Sequence, residues 1–283
     1  MSEPSTGAAG ATAGRLPDWI MIGAMKSATS SLHRYLAEHP QVATSTPKEL
    51  DFFVEHKYRE LGIDWYRRQF DDPPGALVAG ESSVNYTKCH EFPGVAERMH
   101  AHLPDAKLIY VLRDPISRIE SHWVHSVGAG KWRGDFASAV ADPDGSTMVQ
   151  TSCYWTQLEQ YLAHYDTAQI KIMSYEEVSA DPHGAVREIL TYLDLDPEWT
   201  HPLIGKRIHD SKRKMRPNRL GMLLWEDRVR RRRLRKWLPW LVATPIEKPV
   251  WDPADRARIA EYLAPEMEKI RSYAGKDFAE WQI

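Results

Sequence analysis

Four short apolar runs, at 19–23 (WIMIG), 76–80 (ALVAG), 107–112 (KLIYVL) and 169–174 (QIKIMS), read as buried strands. Helical periodicity lies between and after them. Leu32, Tyr35 and Leu36 share one face of a helix over 29–39 that Pro40 ends. Leu158, Tyr161 and Leu162 do the same over 155–165, and Val186, Ile189, Leu190 and Leu193 over 182–193. Strands that alternate with helices demand βαβ crossovers, so the expected class is α/β with a central, mostly parallel sheet. Such sheets bind ligands beyond the carboxyl ends of their strands. Functional residues are therefore expected after Gly23, Gly80 and Leu112.

The 283 residues suffice for one large domain, and the C-terminal third, mostly helical with breaks at Pro239, Pro245 and Pro249, is expected to belong to it. We expect a flexible tail over 1–17, Gly-, Ala-, Ser- and Thr-rich at its start, and one domain over 18–283. Two cysteines, Cys89 and Cys153, cannot build a disulfide framework or a four-thiolate zinc site. With no H-E-x-x-H and no Cys/His cluster, no metal is expected. No apolar run approaches the length of a membrane span, and the start has no signal-peptide pattern. The expected location is cytoplasmic. Most of the 11 tryptophans are expected in the core, with pocket walls as the alternative.

The net charge of −2 conceals an asymmetry: 206–236 holds 14 Lys and Arg against three acids, a net +11 that leaves −13 elsewhere. Such polarity suggests an anionic partner. Within 228–241 an arginine run passes into Trp237, Leu238, Pro239, Trp240 and Leu241. It reads as a solvated face, as a peripheral contact with an anionic membrane, or as a grip on an acidic substrate.

The first strand runs into Ala24-Met25-Lys26-Ser27-Ala28-Thr29-Ser30-Ser31 and then a helix. A helix start offers unpaired N–H groups and a positive dipole end to an anion. Ser27 and Ala28 let backbone approach a phosphate, Lys26 adds charge, and Thr29, Ser30 and Ser31 add hydroxyls. Alternatively, Ser27 or Thr29 is only an N-cap and Lys26 a solvated lysine. The loop lacks the Gly-Lys pair of a Walker A motif, which counts against ATP and GTP. After the 107–112 strand comes Arg113-Asp114-Pro115, with Asp114 a candidate N-cap and Ser121 about two turns on. Arg113 and Ser121 could hold a second phosphate, or Arg113 and Asp114 could form a surface pair.

The two loops together, strand-GAMKSATSSL-helix and strand-RDPISRIESHW, resemble the sulfotransferases that use 3′-phosphoadenylyl sulfate (PAPS). Further similarity to the heparan sulfate sulfotransferase branch lies in Lys48-Glu49-Leu50-Asp51-Phe52-Phe53, in Gly62-Ile63-Asp64-Trp65-Tyr66 and in Ser211-Lys212-Arg213-Lys214. The chain departs from that branch at Glu81-Ser82-Ser83-Val84, where a Lys usually follows the Glu, and at Arg213, where a Gly often stands.

The resemblance implies a bacterial-type, single-domain enzyme with a P-loop-like three-layer fold. It implies sulfuryl transfer from PAPS to a hydroxyl or amine of a carbohydrate, glycolipid or small molecule, with PAP as product. Lys26, Ser27, Ala28, Thr29, Ser30 and Ser31 would hold the 5′-phosphosulfate, Arg113 and Ser121 the 3′-phosphate. Ser211, Lys212, Arg213 and Lys214 would close the nucleotide site. Lys26 would also stabilise the leaving oxygen, and Glu49 would take the acceptor proton. Lys48, Glu81 and Trp65 are substrate candidates; Glu81 is the rival carboxylate, and His122 and His125 are rival bases near the second phosphate motif. Competing classes are a nucleoside or sugar kinase and a nucleic-acid or acidic-polymer binder using 206–236. The second is weakened by the lack of any nucleic-acid-binding motif, and no nucleic-acid partner is expected.

Overall fold

β1 (Trp19–Gly23) is buried along its whole length, because it lies in the middle of a sheet covered on both faces. The structure is a computed structural model that describes residues 14–70, 73–206, 215–217 and 243–283. Its main sheet has five parallel strands in the order β2-β3-β1-β4-β5. β2 is Val42–Thr44, β3 is Val78–Ser82, β4 is Lys107–Leu112 and β5 is Ile170–Ser174.

Alternation along the central strands sorts the side chains into two cores. Trp19 and Met21 of β1, with Ile109 and Val111 of β4, face α1 (Thr29–Ala37), where Leu32 and Leu36 are fully buried. α1 shares that face with the later helix Pro182–Tyr192, through Val186, Ile189 and Leu190. Ile20 and Ile22, with Leu108, Tyr110 and Leu112, face Tyr154–Leu162 and the C-terminal helix Pro253–Ala274. The result is the three-layer α/β arrangement. Each fully buried Leu or Ile contributes about 1.5–3 kcal/mol relative to exposure. Gly80 pairs with Trp19 across β3 and β1, and a Cβ there would lie 2.0 Å from the indole. Hence β3 runs through Gly80 to Ser82, two residues beyond the end that the apolar run suggests.

From β1 the chain crosses toward β2 and β3; from β3 it returns across β1 to β4 and moves on to β5. The carboxyl ends of β1 and β4 thus flank the switch point where connections diverge, the place at which open α/β sheets hold ligands. A small antiparallel pair, Met215–Pro217 with Ala243–Pro245, stands apart from the main sheet. Among the described residues no helix is long and apolar enough to cross a membrane.

Candidate functional site

The turn after β1 is made of small residues in a constrained backbone. Gly23 touches Thr87 so closely that a Cβ would meet the hydroxyl oxygen at 2.0 Å. Lys26 and Ala28 both adopt positive φ, 76° and 65°. Left-handed residues in a tight turn make backbone N–H groups converge, which creates a concavity for an anion. Ala28 is the N-cap of α1, and no side chain caps that helix. The Ser31 amide bonds back to the Ala28 carbonyl (2.9 Å), so among the described residues the Thr29 and Ser30 amides are the ones left without a backbone acceptor. Ser27 is fully buried, and among the described residues its hydroxyl has no hydrogen-bond partner. Thr29 is buried, while Ser30 and Ser31 are half-buried on the first turn of α1.

The second loop meets the first. Arg113, at the end of β4, donates from Nη1 to the Lys26 carbonyl (3.1 Å), across 87 residues of sequence. Its guanidinium lies 4.3 Å from the Tyr175 ring centroid, and among the described residues its buried Nε has no hydrogen-bond partner. Asp114 does not pair with Arg113; it caps helix α4 (Pro115–Gly128), accepting from the Ile116 and Ser117 amides and the Ser117 hydroxyl. Ser121 sits half-buried in the second turn of α4. The chain's last residues brace this loop. Gln282 donates its amide to Asp114 (3.4 Å), and Trp281 donates from Nε1 to Glu176 (3.1 Å), which in turn accepts from the Asp114 amide.

A third segment follows β2. Phe52 and Phe53 are fully buried, Phe52 stacking on Tyr66 at 4.4 Å between centroids. This anchor leaves Glu49 at the surface, ion-paired with Lys48 (2.9 Å). The Lys48 ammonium also reaches the Thr29 hydroxyl (3.4 Å), so the segment touches the first loop. Trp65 is half-buried and stacks on Phe52 from the helix Glu55–Arg67. Glu81 is fully buried and accepts from Tyr66 (2.6 Å), Tyr86 (2.7 Å) and Ser83 (2.7 Å). Burial outweighs these hydrogen bonds and raises its carboxyl above the usual range. Ser211, Lys212, Arg213 and Lys214 lie outside the described residues, as does most of the basic stretch around them, including 228–241.

Three residues that the sequence does not single out, His33, Arg118 and Lys88, crowd the same region, together with the rival base His122. His33, one turn after Thr29 on α1, shares a 2.9 Å hydrogen bond between Nδ1 and the Ser82 hydroxyl. Burial, helped by the Lys48 ammonium, lowers its pKa from 6.5 to about 4. The i, i+4 spacing from Thr29 is the one sequence signal that could have found it. Arg118 is fully buried and reaches the Met25 carbonyl at 3.5 Å. His122 receives an N–H from Arg118 at Nδ1 (3.3 Å), so the neutral ring carries its proton on Nε2. Burial holds His122 well below the usual imidazole range, and the Arg118 charge adds to the effect. Lys88 is buried, which lowers its ammonium pKa.

Residues 16–271 match the family described as "Sulfotransferase domain". Among curated proteins, the bifunctional heparan sulfate N-deacetylase/N-sulfotransferase 4 of Mus musculus is 28% identical over 210 residues, 67% of this chain and 24% of that protein. The heparan sulfate glucosamine 3-O-sulfotransferase 3B1 of Mus musculus is 29% identical over 193 residues, 66% of this chain and 48% of that protein. The chain thus spans about a quarter to a half of the length of these relatives. A solved sulfotransferase from Alicyclobacillus acidocaldarius shares the fold, with a TM-score of 0.69, 23% identity, and coverage of 95% of this chain and 100% of that one. The mouse sulfotransferase SULT7A1, solved in complex with PAP, has a TM-score of 0.51 at 13% identity, with 93% and 90% covered. With the loops after β1 and β4 joined at the switch point of a parallel sheet and a match over 16–271, the chain belongs to the sulfotransferase domain family.

Proposed function

We propose that this protein transfers a sulfuryl group from PAPS to a hydroxyl or amine of a carbohydrate, glycolipid or small-molecule acceptor. The observation that carries the reading is the 3.1 Å bond from Arg113 to the Lys26 carbonyl, which sets two anion-binding loops side by side. Among the described residues, two buried polar atoms there lack hydrogen-bond partners, Ser27 Oγ and Arg113 Nε, one in each loop. A nucleotide with phosphates at both its 3′ and 5′ positions fits that pattern. The relatives named as heparan sulfate N- and 3-O-sulfotransferases favour a carbohydrate-type acceptor.

PAPS, when bound, supplies an activated sulfuryl group on its 5′-phosphate. The turn amides, Ser27, Ala28, Thr29, Ser30 and Ser31 hold the 5′ end, and Arg113 with Ser121 holds the 3′-phosphate. The flanking sequence Ser211, Lys212, Arg213 and Lys214 supplies further cations. Lys26 stabilises the negative charge that develops on the phosphate oxygen. Glu49 is the general base for the acceptor proton; its surface position beside the first loop, through Lys48, suits a group that must meet an incoming acceptor. Glu81, wrapped by three hydroxyls, holds its neighbourhood together and does not contact solvent.

Thermal shift with 3′,5′-ADP against ATP plus Mg²⁺ tests the donor. Selective stabilisation by 3′,5′-ADP is expected; stabilisation by ATP alone would overturn the reading. Glu49→Gln should bind 3′,5′-ADP as the parent does while losing turnover by about 10²-fold or more. Full activity in that variant would remove Glu49 from the mechanism.

A further inference from the structure

A cleft of about 450 Å³ opens beside the first loop, with Met25, Lys88, His122, His125, Lys131 and Trp132 among its walls. Its floor is cationic and buried. Lys88 is 7% exposed, His122 5%, and Arg118, directly behind them, 0%. Among the described residues, the Lys88 ammonium has no hydrogen bond or ion pair. Arg118 has only neutral acceptors: the Ser152 hydroxyl (2.6 Å), the Met148 and Met25 carbonyls, and His122 Nδ1. The acids that line the cleft, Glu91 and Asp142, are both exposed. Asp51, the other acid felt by Lys88, already holds Asn85 (3.1 Å) and Lys57 (3.7 Å).

Burying cations without counter-charges is costly for a fold, and most proteins avoid it. The cost is offset if an anion enters the cleft. The volume is that of a pocket for a small organic ligand, and the half-buried Trp132 offers an apolar wall. Met25 joins the cleft to the donor loop. We propose that this cleft receives the acceptor, and that the acceptor is a small molecule bearing a carboxylate, which Lys88 binds while the hydroxyl or amine to be sulfated points toward the first loop. The proposal rests on the sulfotransferase reading for the name "acceptor"; the carboxylate site itself does not.

Isothermal titration tests both parts separately. The probes are 4-hydroxybenzoate and D-glucuronate, each with a neutral twin, 4-hydroxybenzamide and D-glucose, against protein with and without saturating 3′,5′-ADP. At least one carboxylate should bind at least tenfold tighter than its twin. Lys88→Met should weaken that binding at least tenfold, leave the 3′,5′-ADP affinity unchanged and raise the melting temperature, because an unpaired buried charge is gone. Lys131→Gln, at an exposed wall position, should weaken it only about two- to threefold. The proposal is overturned if neither carboxylate outbinds its twin, or if Lys88→Met binds it as the parent does. It is equally overturned if Lys88→Met fails to fold, since the ammonium would then be a structural necessity. Failure of 3′,5′-ADP to bind would sink the donor reading alone, and the titration without nucleotide would still judge the cleft.

Discussion

His33 shows how one side chain can couple the candidate site to acid. Its ring is held neutral by burial and by Lys48, with a pKa lowered from 6.5 to about 4. Above pH 6.5 the ring is neutral in both folded and unfolded chains, and stability does not depend on it. As pH falls from 6.5 toward 4, the unfolded chain gains a proton that the folded chain refuses, so stability is lost across that window, by about 3 kcal/mol at most. His33→Gln, which can keep a hydrogen bond to Ser82, should flatten that part of the stability profile. Urea titrations at pH 7 and pH 5 would show it; an unchanged difference between the two pH values would rule the ring out. Lys26, Arg113 and Ser121 could be named as candidates because each sits in a recognisable pattern at or just after the end of a strand. His33, Lys88 and Arg118 could not, because nothing in a local pattern tells a buried cation or imidazole from a solvated one.

Among the elements, those with strong periodicity were legible and the short ones were not. β1 and β4 run between the residues that their apolar runs mark, and β5 differs by one residue. β2 is only three residues long, too short for any alternation to register, and it owes its place to pairing with β3. The pair Met215–Pro217 and Ala243–Pro245 also went unread, since Pro245 marks a helix break as readily as the edge of a hairpin. α1 was legible, but its entry was not: Ala28 stands in the left-handed region, at φ 65° and ψ 7°. An L-residue there costs about 1 kcal/mol. Ala28→Gly should therefore stabilise the protein by about 1 kcal/mol, a rise of about 2 °C in melting temperature. A lower melting temperature would show that no strain is held at this turn. At α4 the expectation runs the other way. Asp114→Ala removes the cap and should cost about 1 kcal/mol of stability. It should also weaken 3′,5′-ADP more than 5′-AMP in the same titration, because only the former engages the β4 loop.

Across the whole molecule, Glu81 ties the end of β3 to the helix Glu55–Arg67 and to the segment that carries Tyr86. It holds Tyr66 under the Phe52–Phe53 anchor, and Tyr86 and Ser83, which in turn accept from the Phe53 and Asp51 amides. Glu81→Ala would leave three hydroxyls without their acceptor and should cost about 3 kcal/mol or more in urea unfolding. Glu81→Gln retains an acceptor oxygen for both tyrosines and should cost about half as much. Equal losses in the two variants would show that shape, not hydrogen bonding, is what the position requires. The parallel sheet and its flanking helices were legible from the alternation of strand and helix, and the family match bears that out. That Glu81 would be a closed hub was not, because its partners come from 15 residues before it in sequence as well as from nearby.

The bracing of Asp114 by Gln282, and of Glu176 by Trp281, bears on how the protein should be handled at the bench. The family match stops at residue 271, which invites a gene to be trimmed there. Such a trimmed protein would retain every motif residue and still lose the buttress behind the loop that follows β4, so weak nucleotide binding in it would reflect the cut and not the catalyst.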